Sequence, residues 1–447
     1  MQNKRIKGFI PVSVTLEDML EERENRAAES SKLIDEIRNA DEDRAVICMT
    51  MNFVGEYKQL ALSHSAFVHH FKLMQLAIPC EYARMYSKKT GDTAYFKVKM
   101  DPRVAKQICV KIEDNGEIGR LFDIDVFGAD GEKISRDTPR KCLICAKPAA
   151  ECSRSRAHGV EAVRKKTEKI LRDFFAQDVA SMALAALRDE LDTTPKPGLV
   201  DRNNSGANPD MSYDMFIKSA EAVAPYMGEI FSAAAESGEI NSETAERIRA
   251  IGVEAERMMY IATGGINTHK GAIYSMGLLS AGAGFALAYG GKFTDMIDVA
   301  AQLALELSYD IKEPDTHGLR VCEKYGVTGA RGEAIGGFKT VLYAFERIKH
   351  YADDCNLDTN IAYPLAINDV MAVMKDTNVL HRGGLEGLEF LNKEAREIGQ
   401  MRMNQCIDDM LELDEELIKR NISPGGCADA LACALFLIKM ENMFPEG

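Results

Sequence analysis

Residues 263–279 read TGGINTHKGAIYSMGLL, and this stretch decides how the second half of the chain is interpreted. A Gly-rich polar turn, which contains Asn267, His269 and Lys270, is followed directly by an apolar run. Such a turn at the start of a helix offers free backbone amides and the positive end of the helix dipole to an anion. The stretch therefore predicts an apolar helix with a binding loop at its N-terminus.

The same combination of helices and polar loops fills the rest of the second half, which predicts an all-α domain with functional residues on its loops. Helical periodicity is found at residues 212–237, 242–262, 269–289, 295–308, 332–351, 367–375 and 395–419. The polar loops are 194–201 with 205–211, 263–271, 316–318 with 329–333, 376–384 and 423–429. Each loop alone could be a set of caps and turns, because Gly, Asn and Asp favour such positions for local reasons. Five loops enriched together in His, Lys, Arg and Asp favour a binding site.

The first half of the chain mixes α and β patterns. Residues 16–37 read as an amphipathic helix, and strands are predicted at 44–52, 94–99, 108–113 and 121–127. A long helix predicted at 153–191 bridges the halves. Residues 1–174 carry 31 Lys and Arg against 27 Asp and Glu, a net charge of +4, whereas residues 175–447 carry 24 against 42, a net charge of −18. The net charge and the predicted secondary structure change at the same point of the chain. This predicts two domains, 1–174 and 175–447.

Composition excludes several classes of function. The 447 residues are 46% hydrophobic, as in globular proteins, but no run of 18 apolar residues and no signal peptide is recognised. We therefore expect a cytoplasmic protein without a membrane partner. No basic stripe with interleaved aromatic residues is visible, so nucleic acid is not an expected partner. The 11 cysteines are interpreted as reduced thiols or metal ligands.

Asp123 and Asp125 lie in the strand predicted at 121–127. Side chains alternate along a strand, so both carboxylates point to the same side. Two such carboxylates can share a Mg²⁺ ion that also binds phosphate oxygens. The alternative is a strand with one solvated face.

A group of cysteines follows this strand. Cys142, Cys145, Cys152 and His158 have the ligand types of a Cys₃His zinc site, although their spacing is more compact than that of a standard zinc finger. The alternative is a set of reduced, partly buried thiols beside phosphate-binding arginines.

The motifs TPKPGLVD (194–201), TGGINTHKGAIYSMGLL, GARGEA (329–334), DTNVLHRGG (376–384) and SPGG-x-AD (423–429) resemble the triphosphoribosyl-dephospho-CoA synthase family. The resemblance implies that ATP and 3′-dephospho-CoA are joined through a ribose–ribose bond with loss of adenine. It implies that Asp201 or Asp210 is the base or holds Mg²⁺, with His269 near the reacting groups. Residues implied to bind substrate and phosphates are Lys196, Asn267, Lys270, Arg331, His381 and Arg382.

One position departs from the pattern of that family. Its first loop usually reads GAHxDM, whereas the histidine position here is Asn208. Asparagine can hydrogen-bond but cannot transfer a proton at neutral pH. The family histidine is therefore interpreted as a hydrogen-bonding residue and not as a general acid.

The first half resembles the citrate lyase holo-[acyl-carrier protein] synthases, which are phosphoribosyl-dephospho-CoA transferases. The resemblance rests on 16–34, MTMNFVGEYK (49–58), GRLFDIDV (119–126) and the segment from RKCLIC (140–145) to CSRSRAH (152–158). It implies a nucleotidyltransferase-like domain that modifies a serine of the citrate lyase acyl-carrier (gamma) subunit and releases pyrophosphate. Asp123 and Asp125 are then expected to hold Mg²⁺, and phosphates to contact Arg120, Arg136, Arg140, Arg154 and Arg156.

Two alternatives remain open at this point. Malonate decarboxylase could be the recipient system, because it uses the same synthase step, although the resemblance of the first half favours citrate lyase. The chain could also be a zinc-containing interaction protein with a helical scaffold, but that leaves the five polar loops unexplained. A bifunctional enzyme that makes and attaches one prosthetic group is the favoured interpretation.

Overall fold

The computed structural model describes residues 10–38, 43–145, 147–309, 317–401 and 403–444. The chain divides into two compact units. The mixed unit consists of Gly8–Phe174 and Leu287–Gly290, and the helical unit contains Phe175–Ala286 and Gly291–Glu446. Each unit is described by itself.

The mixed unit contains a four-stranded antiparallel sheet in the order β2-β3-β1-β4. Its elements are α1 (Leu16–Ile37), β1 (Ala45–Met51), α2 (Ser63–Ala77), β2 (Cys80–Lys88), β3 (Gly91–Val98), α3 (Pro102–Glu113), α4 (Gly116–Gly119), β4 (Phe122–Phe127), α5 (Ala149–Ser155) and the start of α6 (Val160–Asp192). The expectation of a mixed α and β architecture in this part of the chain is confirmed.

Helix α1 covers one face of the sheet. It begins with a capping box, in which the Thr15 hydroxyl accepts the amide of Asp18 and the Asp18 carboxylate accepts the amide of Thr15. Near its C-terminal end, α1 contributes buried side chains to a core cluster with β1 and β3. The cluster consists of Leu33, Ile34, Ile37, Val46, Cys48 and Tyr95. The amphipathic pattern of 16–37 thus serves to bury the sheet.

Two charged side chains of α3 fix the edge strand β4. The buried Glu113 carboxylate accepts the amide of Ile124 over 2.8 Å, and the buried Lys106 ammonium donates to the carbonyl of Ile124 over 2.6 Å. An edge strand otherwise leaves such groups unpaired. Strand β4 is therefore held at the residue that separates Asp123 from Asp125.

The strand predicted at 108–113 is wrong, because these residues belong to α3. Asp101 caps this helix through the amides of Arg103 and Val104, and Pro102 occupies its first turn. Helical spacing buries Ala105, Cys109 and Ile112, and this pattern prevails over the β-branched composition.

Strand β2 and helix α2 were not predicted. The helix predicted at 153–191 is interrupted at residues 156–159, between α5 and α6.

In its described residues the helical unit is all-α, as the sequence predicts. It contains the end of α6, then α7 (Tyr213–Glu236), α8 (Ser242–Ala262), α9 (Lys270–Ala288), α10 (Phe293–Tyr309), α11 (His317–Tyr325), α12 (Gly329–Ile335), α13 (Lys339–Lys349), a π-helical turn (His350–Asp354), α14 (Thr359–Val373), α15 (Thr377–Ile398), α16 (Met403–Lys419) and α17 (Gly425–Glu441). The helix expected at 395–419 is therefore the end of α15 and all of α16.

Helix α9 packs closely against two neighbouring helices. A Cβ atom at Gly282 would lie 2.2 Å from the carbonyl oxygen of Met296 in α10, and one at Gly284 would lie 2.2 Å from that of Phe231 in α7. Glycine thus allows these backbones to approach. By length and composition α9 could cross a membrane, but 89% of its most apolar window is buried inside the protein, as in a core helix.

Three of the five expected loops are largely helical in their described residues. Residues 317–318 and 329–333 of the third loop lie in α11 and α12. Residues 376–384 form the N-cap and first turns of α15, and residues 423–429 run into the start of α17. The residues 310–316, which include the start of the third expected loop, lie outside the described part of the chain. Polar motifs in this unit therefore mark helix N-termini as well as loops.

Candidate active sites

Lys196 lies at the centre of a buried polar cluster in the helical unit. Its side chain is only 1% exposed, and its ammonium donates to the backbone carbonyl of Glu190 over 2.8 Å and forms an ion pair with the Glu190 carboxylate. Burial raises the pKa of Glu190, and the charge of Lys196 opposes that rise. Lys196 was predicted to bind phosphate, but in this structure its charge faces a carboxylate.

Asp201 closes the loop that carries Lys196. Its carboxylate accepts the amides of Lys196 (3.1 Å), Asn203 (2.7 Å) and Asn204 (3.1 Å). Burial raises the pKa of Asp201, while these amides and the charge of Lys196 favour the ionised form. A carboxylate with three amide donors is held rigidly, so Asp201 positions the loop around Lys196.

Asp429, in the first turns of α17, approaches the N-terminus of α9. A Cβ atom at Gly271 would lie 2.1 Å from an Asp429 carboxylate oxygen, so glycine is needed for this contact. Burial raises the pKa of Asp429 well above its usual range, the charges of Glu190 and Asp376 raise it further, and the amide of Ala272 opposes the rise. Asp429 is thus the carboxyl group in this cluster best suited to hold a proton.

Asp376 joins two helix N-termini. Its carboxylate accepts the amides of Asn378 (2.7 Å) and Val379 (3.2 Å) as the N-cap of α15, and the amide of Cys427 (3.0 Å) in α17. Burial raises the pKa of Asp376. Asp376 therefore sets the position of α17, which carries Asp429.

His269 is buried as a neutral imidazole just before α9. Its Nδ1 lies 2.7 Å from the Ser219 hydroxyl, which also accepts the hydroxyl of Thr268 over 2.7 Å. Among the described residues, its buried Nε2 has no hydrogen-bond partner. Burial lowers the pKa of His269 to about 3, and the charge of Lys196 acts in the same direction.

Asn208, at the position of the family histidine, links three segments of the helical unit. Its amide donates to the Ser423 hydroxyl over 3.1 Å, and its carbonyl accepts the Arg382 guanidinium over 2.7 Å. Arg382 also donates to the carbonyl of Ala207 over 2.7 Å. The residue thus acts as a hydrogen-bonding bridge, a role that asparagine can perform.

The other predicted residues of this unit lie nearer the surface. Asp210 is exposed, Asn267 accepts the amide of Lys270 over 3.1 Å, and the Lys270 ammonium lies 2.9 Å from Glu256. Arg331 is half-buried in α12, and its charge acts on the phenol of Tyr274. His381 is exposed in the first turns of α15.

Sequence reasoning missed Glu190, Asp376 and Asp429 as individual site residues. Asp376 and Asp429 stand inside the motifs DTNVLHRGG and SPGG-x-AD, so the motifs could have identified them. Glu190 lies within α6 and has no local signal. The role of Glu190 becomes apparent only in the folded structure, where Lys196 forms an ion pair with it.

In the mixed unit, Asp123 and Asp125 lie on the same side of β4, as alternation predicts. Both are half-buried, and β1 places Thr50 opposite Asp123 and Cys48 opposite Asp125. The Asp125 carboxylate lies 2.6 Å from the ammonium of Lys133. Two acidic groups on one strand thus share a face with the core cluster under α1.

Arginines approach this strand from the segment that follows it. Arg140 forms ion pairs with buried Glu113 and with Asp123, the latter over 3.3 Å. Arg136 pairs through one nitrogen with both carboxylate oxygens of Asp114 at 2.8 and 2.7 Å. Arg120 donates to the carbonyl groups of Lys141 (2.9 Å) and Cys142. Arg154 and Arg156 are exposed.

A cleft of about 410 Å³ lies between α1 and the sheet. The charge of Arg26 in α1 reaches Cys48 and Tyr95 on this face of the sheet. The cleft is lined by Glu22, Asn25, Ala28, Glu29, Lys32, Tyr86, Lys88, Thr93 and Tyr95. Sequence reasoning did not identify this cleft, because it depends on how α1 lies over β3.

The four predicted zinc ligands lie together in the mixed unit. Ligand atoms of Cys142, Cys145, Cys152 and His158 are all within 4.8 Å of one another. Burial opposes ionisation of the Cys142 thiol, but hydrogen bonds from the amides of Cys145 and Ile144 outweigh it and lower its pKa to about 7.

Two family models each match one unit, and one known protein is similar to nearly the whole chain. Residues 176–446 match the family model described as ATP:dephospho-CoA triphosphoribosyl transferase, and residues 14–174 match that described as apo-citrate lyase phosphoribosyl-dephospho-CoA transferase. The chain is 30% identical to Protein CitXG of Haemophilus influenzae, over 96% of this chain and 97% of the relative. It is 32% identical to the 2-(5″-triphosphoribosyl)-3′-dephosphocoenzyme-A synthase of Haemophilus ducreyi, over 66% of this chain and 99% of the relative. The chain is also 38% identical to the synthase of the same name from Escherichia fergusonii, over 61% of this chain and 92% of the relative.

Burial of neutral His269 predicts a specific pH dependence of stability. The pKa of His269 in the folded chain, about 3, lies below the value of roughly 6.5 for an unfolded histidine. Between these values only the unfolded chain binds the proton, so the free energy of unfolding falls as the pH drops from about 6.5 towards 3. We expect wild type to lose about 1.4 kcal/mol more than His269→Gln between roughly pH 7.5 and 5.5, as measured by urea unfolding. Equal pH dependence in His269→Gln and wild type would contradict the assignment.

The bridge at Asn208 predicts different effects of two substitutions. Asn208→Leu leaves the Arg382 guanidinium and the buried Ser423 hydroxyl without this partner, so we expect the free energy of unfolding to fall by about 2–3 kcal/mol. Asn208→His can still donate from one ring nitrogen and accept at the other, so its loss should be less than half as large. Urea unfolding of both variants checks this, and equal losses would show that the bridge is unimportant.

Proposed function

The chain belongs to the ATP:dephospho-CoA triphosphoribosyl transferase family and to the fused proteins represented by Protein CitXG, and from that premise we propose how its two units divide the work. It is a bifunctional transferase that synthesises the prosthetic group of citrate lyase and transfers it to the apo-lyase. The helical unit carries the synthase reaction, and the mixed unit carries the transfer.

In the synthase reaction, the 2′-hydroxyl oxygen of dephospho-CoA forms a bond with the anomeric carbon of the ATP ribose. The bond from that carbon to adenine breaks, and the electron pair leaves with adenine. The hydroxyl proton passes to a base, and the departing adenine accepts a proton from an acid. Displacements of this kind, with oxocarbenium character, commonly use two carboxyl groups whose environments separate their pKa values.

We assign the acid to Asp429 and keep Asp201 as the candidate base. Burial and two neighbouring negative charges favour the protonated form of Asp429. Burial raises the pKa of Asp201 as well, but three amide donors and the charge of Lys196 oppose that rise, whereas a single amide opposes it at Asp429. Neutral His269 remains a candidate hydrogen-bonding partner for the reacting groups, because its buried Nε2 has no partner in the part of the chain that the structure describes.

The triphosphate of ATP requires positive charge from outside the buried cluster. Lys270, Arg331, His381 and Arg382 lie at or near helix N-termini, where amide groups also favour anions. Exposed Asp210 is the candidate ligand for a Mg²⁺ ion on the triphosphate. Asn267 caps the turn that presents Lys270.

In the transfer reaction, a serine hydroxyl oxygen of the acyl-carrier subunit forms a bond with the α-phosphorus of the triphosphoribosyl group. The bond from this phosphorus to the bridging oxygen breaks, pyrophosphate leaves with the electron pair, and the serine proton passes to a base or solvent. This is a nucleotidyltransferase-like step, in which positioning and charge neutralisation carry most of the catalysis.

Asp123 and Asp125 are proposed to hold Mg²⁺ in the mixed unit, where the ion would neutralise charge on the phosphate oxygens. The donor set fits, because two half-buried carboxylates lie on one side of a strand fixed by Glu113 and Lys106. Lys133 and Arg140 already contact these carboxylates. Arg120, Arg136, Arg154 and Arg156 remain candidate phosphate ligands.

The two acidic clusters lie in different units, and this observation supports the division of the two reactions between the units. Glu190, Asp376 and Asp429 belong to the helical unit, whereas Asp123 and Asp125 belong to the mixed unit. The residues of each cluster lie within the corresponding family match. We further propose that the chain acts in the cytoplasm, where ATP and dephospho-CoA are available.

Separate loss of the two activities tests this proposal. We expect Asp429→Asn to lower adenine release from ATP and dephospho-CoA by at least about 100-fold, because a general acid is lost. Transfer of ready-made triphosphoribosyl-dephospho-CoA to the carrier should be unchanged. The double variant Asp123→Asn, Asp125→Asn should show the reverse, with adenine release retained and carrier labelling lost.

Adenine is measured by chromatography and carrier labelling by mass spectrometry, and exposed Asp353→Asn serves as the control. If Asp429→Asn retains adenine release, the acid assignment is wrong while the function stands. If wild type releases no adenine, the function itself is wrong.

A further inference from the structure

We propose that the mixed unit binds one Zn²⁺ ion through Cys142, Cys145, Cys152 and His158. All four ligand atoms lie within 4.8 Å of one another. The sulfur atoms of Cys145 and Cys152 are 3.5 Å apart, and Nε2 of His158 is 3.4 Å from the sulfur of Cys145. With zinc–sulfur bonds of about 2.3 Å, a tetrahedral site separates its thiolates by roughly 3.8 Å, which is close to this spacing.

The backbone presents the first two ligands on a closed turn. The amide of Cys142 donates to the carbonyl of Lys147 over 2.8 Å, and the amide of Ala149 donates to the carbonyl of Arg140 over 2.8 Å. Within the turn, the amide of Ile144 points at the sulfur of Cys142 over 3.5 Å, a contact that stabilises a thiolate. Both thiols are thus held on one side of the turn.

The other two ligands come from α5 and the residues that follow it. Cys152 is buried in α5, and Arg156 ends this helix in a left-handed conformation with φ of 49°. That reversal brings His158 back towards Cys145. Three separate pieces of backbone therefore converge on one point.

A disulfide explains this arrangement less well than a metal ion. A bond between Cys145 and Cys152 would shorten their sulfur separation from 3.5 Å to about 2.05 Å and would leave Cys142 and His158 without a role. On zinc binding three thiols lose protons, and with a neutral imidazole the complex carries a single net negative charge. Basic residues along the same segment offset that charge, namely Arg140, Lys141, Lys147, Arg154 and Arg156.

The ion would position the arginines of the transfer site without touching the reacting groups. Arg120 donates to the carbonyl of Cys142, and Arg140, two residues before this ligand, contacts Glu113 and Asp123. Loss of the metal should therefore weaken carrier labelling while adenine release by the helical unit continues. Only this activity readout rests on the proposed function, and metal binding is tested independently.

The direct test is the metal content of the full-length chain, purified without chelators and then incubated with Zn²⁺ and desalted. We expect one zinc per chain by atomic emission spectroscopy, and loss of that zinc in Cys145→Ser. Cys355→Ser, at an exposed cysteine outside the cluster, should retain the metal. His158→Cys should also retain it, since four thiolates form a common zinc site.

Cobalt provides a second readout that does not depend on activity. Co²⁺ added to the metal-free chain should give the intense visible bands of a tetrahedral thiolate site, and these bands should be absent in Cys145→Ser. Retained adenine release would show that this variant is still folded in the helical unit. Substoichiometric zinc that does not rise on incubation, an octahedral cobalt spectrum, or a mapped Cys145–Cys152 disulfide would each overturn the proposal.

Discussion

The buried ion pair between Lys196 and Glu190 ties the loop that carries Asp201 to the end of α6 in the helical unit. Removing one member of such a pair typically costs roughly 3–5 kcal/mol, because the other charge is left buried and unpaired. The charge of Lys196 also acts on its neighbours. It favours the ionised form of Asp201 and the neutral form of His269. Burial is the larger influence on both pKa values, and the charge of Lys196 opposes it at Asp201 and adds to it at His269.

The mixed unit uses a similar device at its own site. Glu113 and Lys106 are buried charged residues of α3, and they bind the two backbone groups of Ile124. Because Ile124 separates Asp123 from Asp125, the position of both carboxylates follows from this clamp. Glu113 also pairs with Arg140, which brings a cation to the same strand. In each unit, an acid and a base in the interior hold the loop or strand that presents the candidate catalytic groups.

Much of this organisation could be predicted from sequence because the signals are local. The helix at 16–37 was predicted with its observed bounds, and alternation placed Asp123 and Asp125 on one side of their strand. The strand at 108–113 was wrong because a short β-branched run hides a helix whose start signals, Asp101 and Pro102, lie upstream. Local patterns therefore decide element type only when the capping residues are included.

The candidate synthase cluster was less accessible to sequence reasoning, because it is assembled by tertiary contacts. Glu190 and Lys196 are near in sequence, but nothing local shows that both are buried. Asp429 reaches Gly271 only after the chain has returned to the N-terminus of α9. The motifs identify the segments that form this cluster. They do not show which carboxylate caps a helix and which one can hold a proton.

The most direct test of a bifunctional enzyme is the product balance in a single reaction. Wild-type protein is incubated with ATP, 3′-dephospho-CoA and the apo acyl-carrier subunit of citrate lyase, and adenine, pyrophosphate and carrier mass are measured together. We expect one adenine and one pyrophosphate for each carrier that gains phosphoribosyl-dephospho-CoA. Carrier modification without adenine release, or adenine release with a carrier that never gains mass, would contradict it.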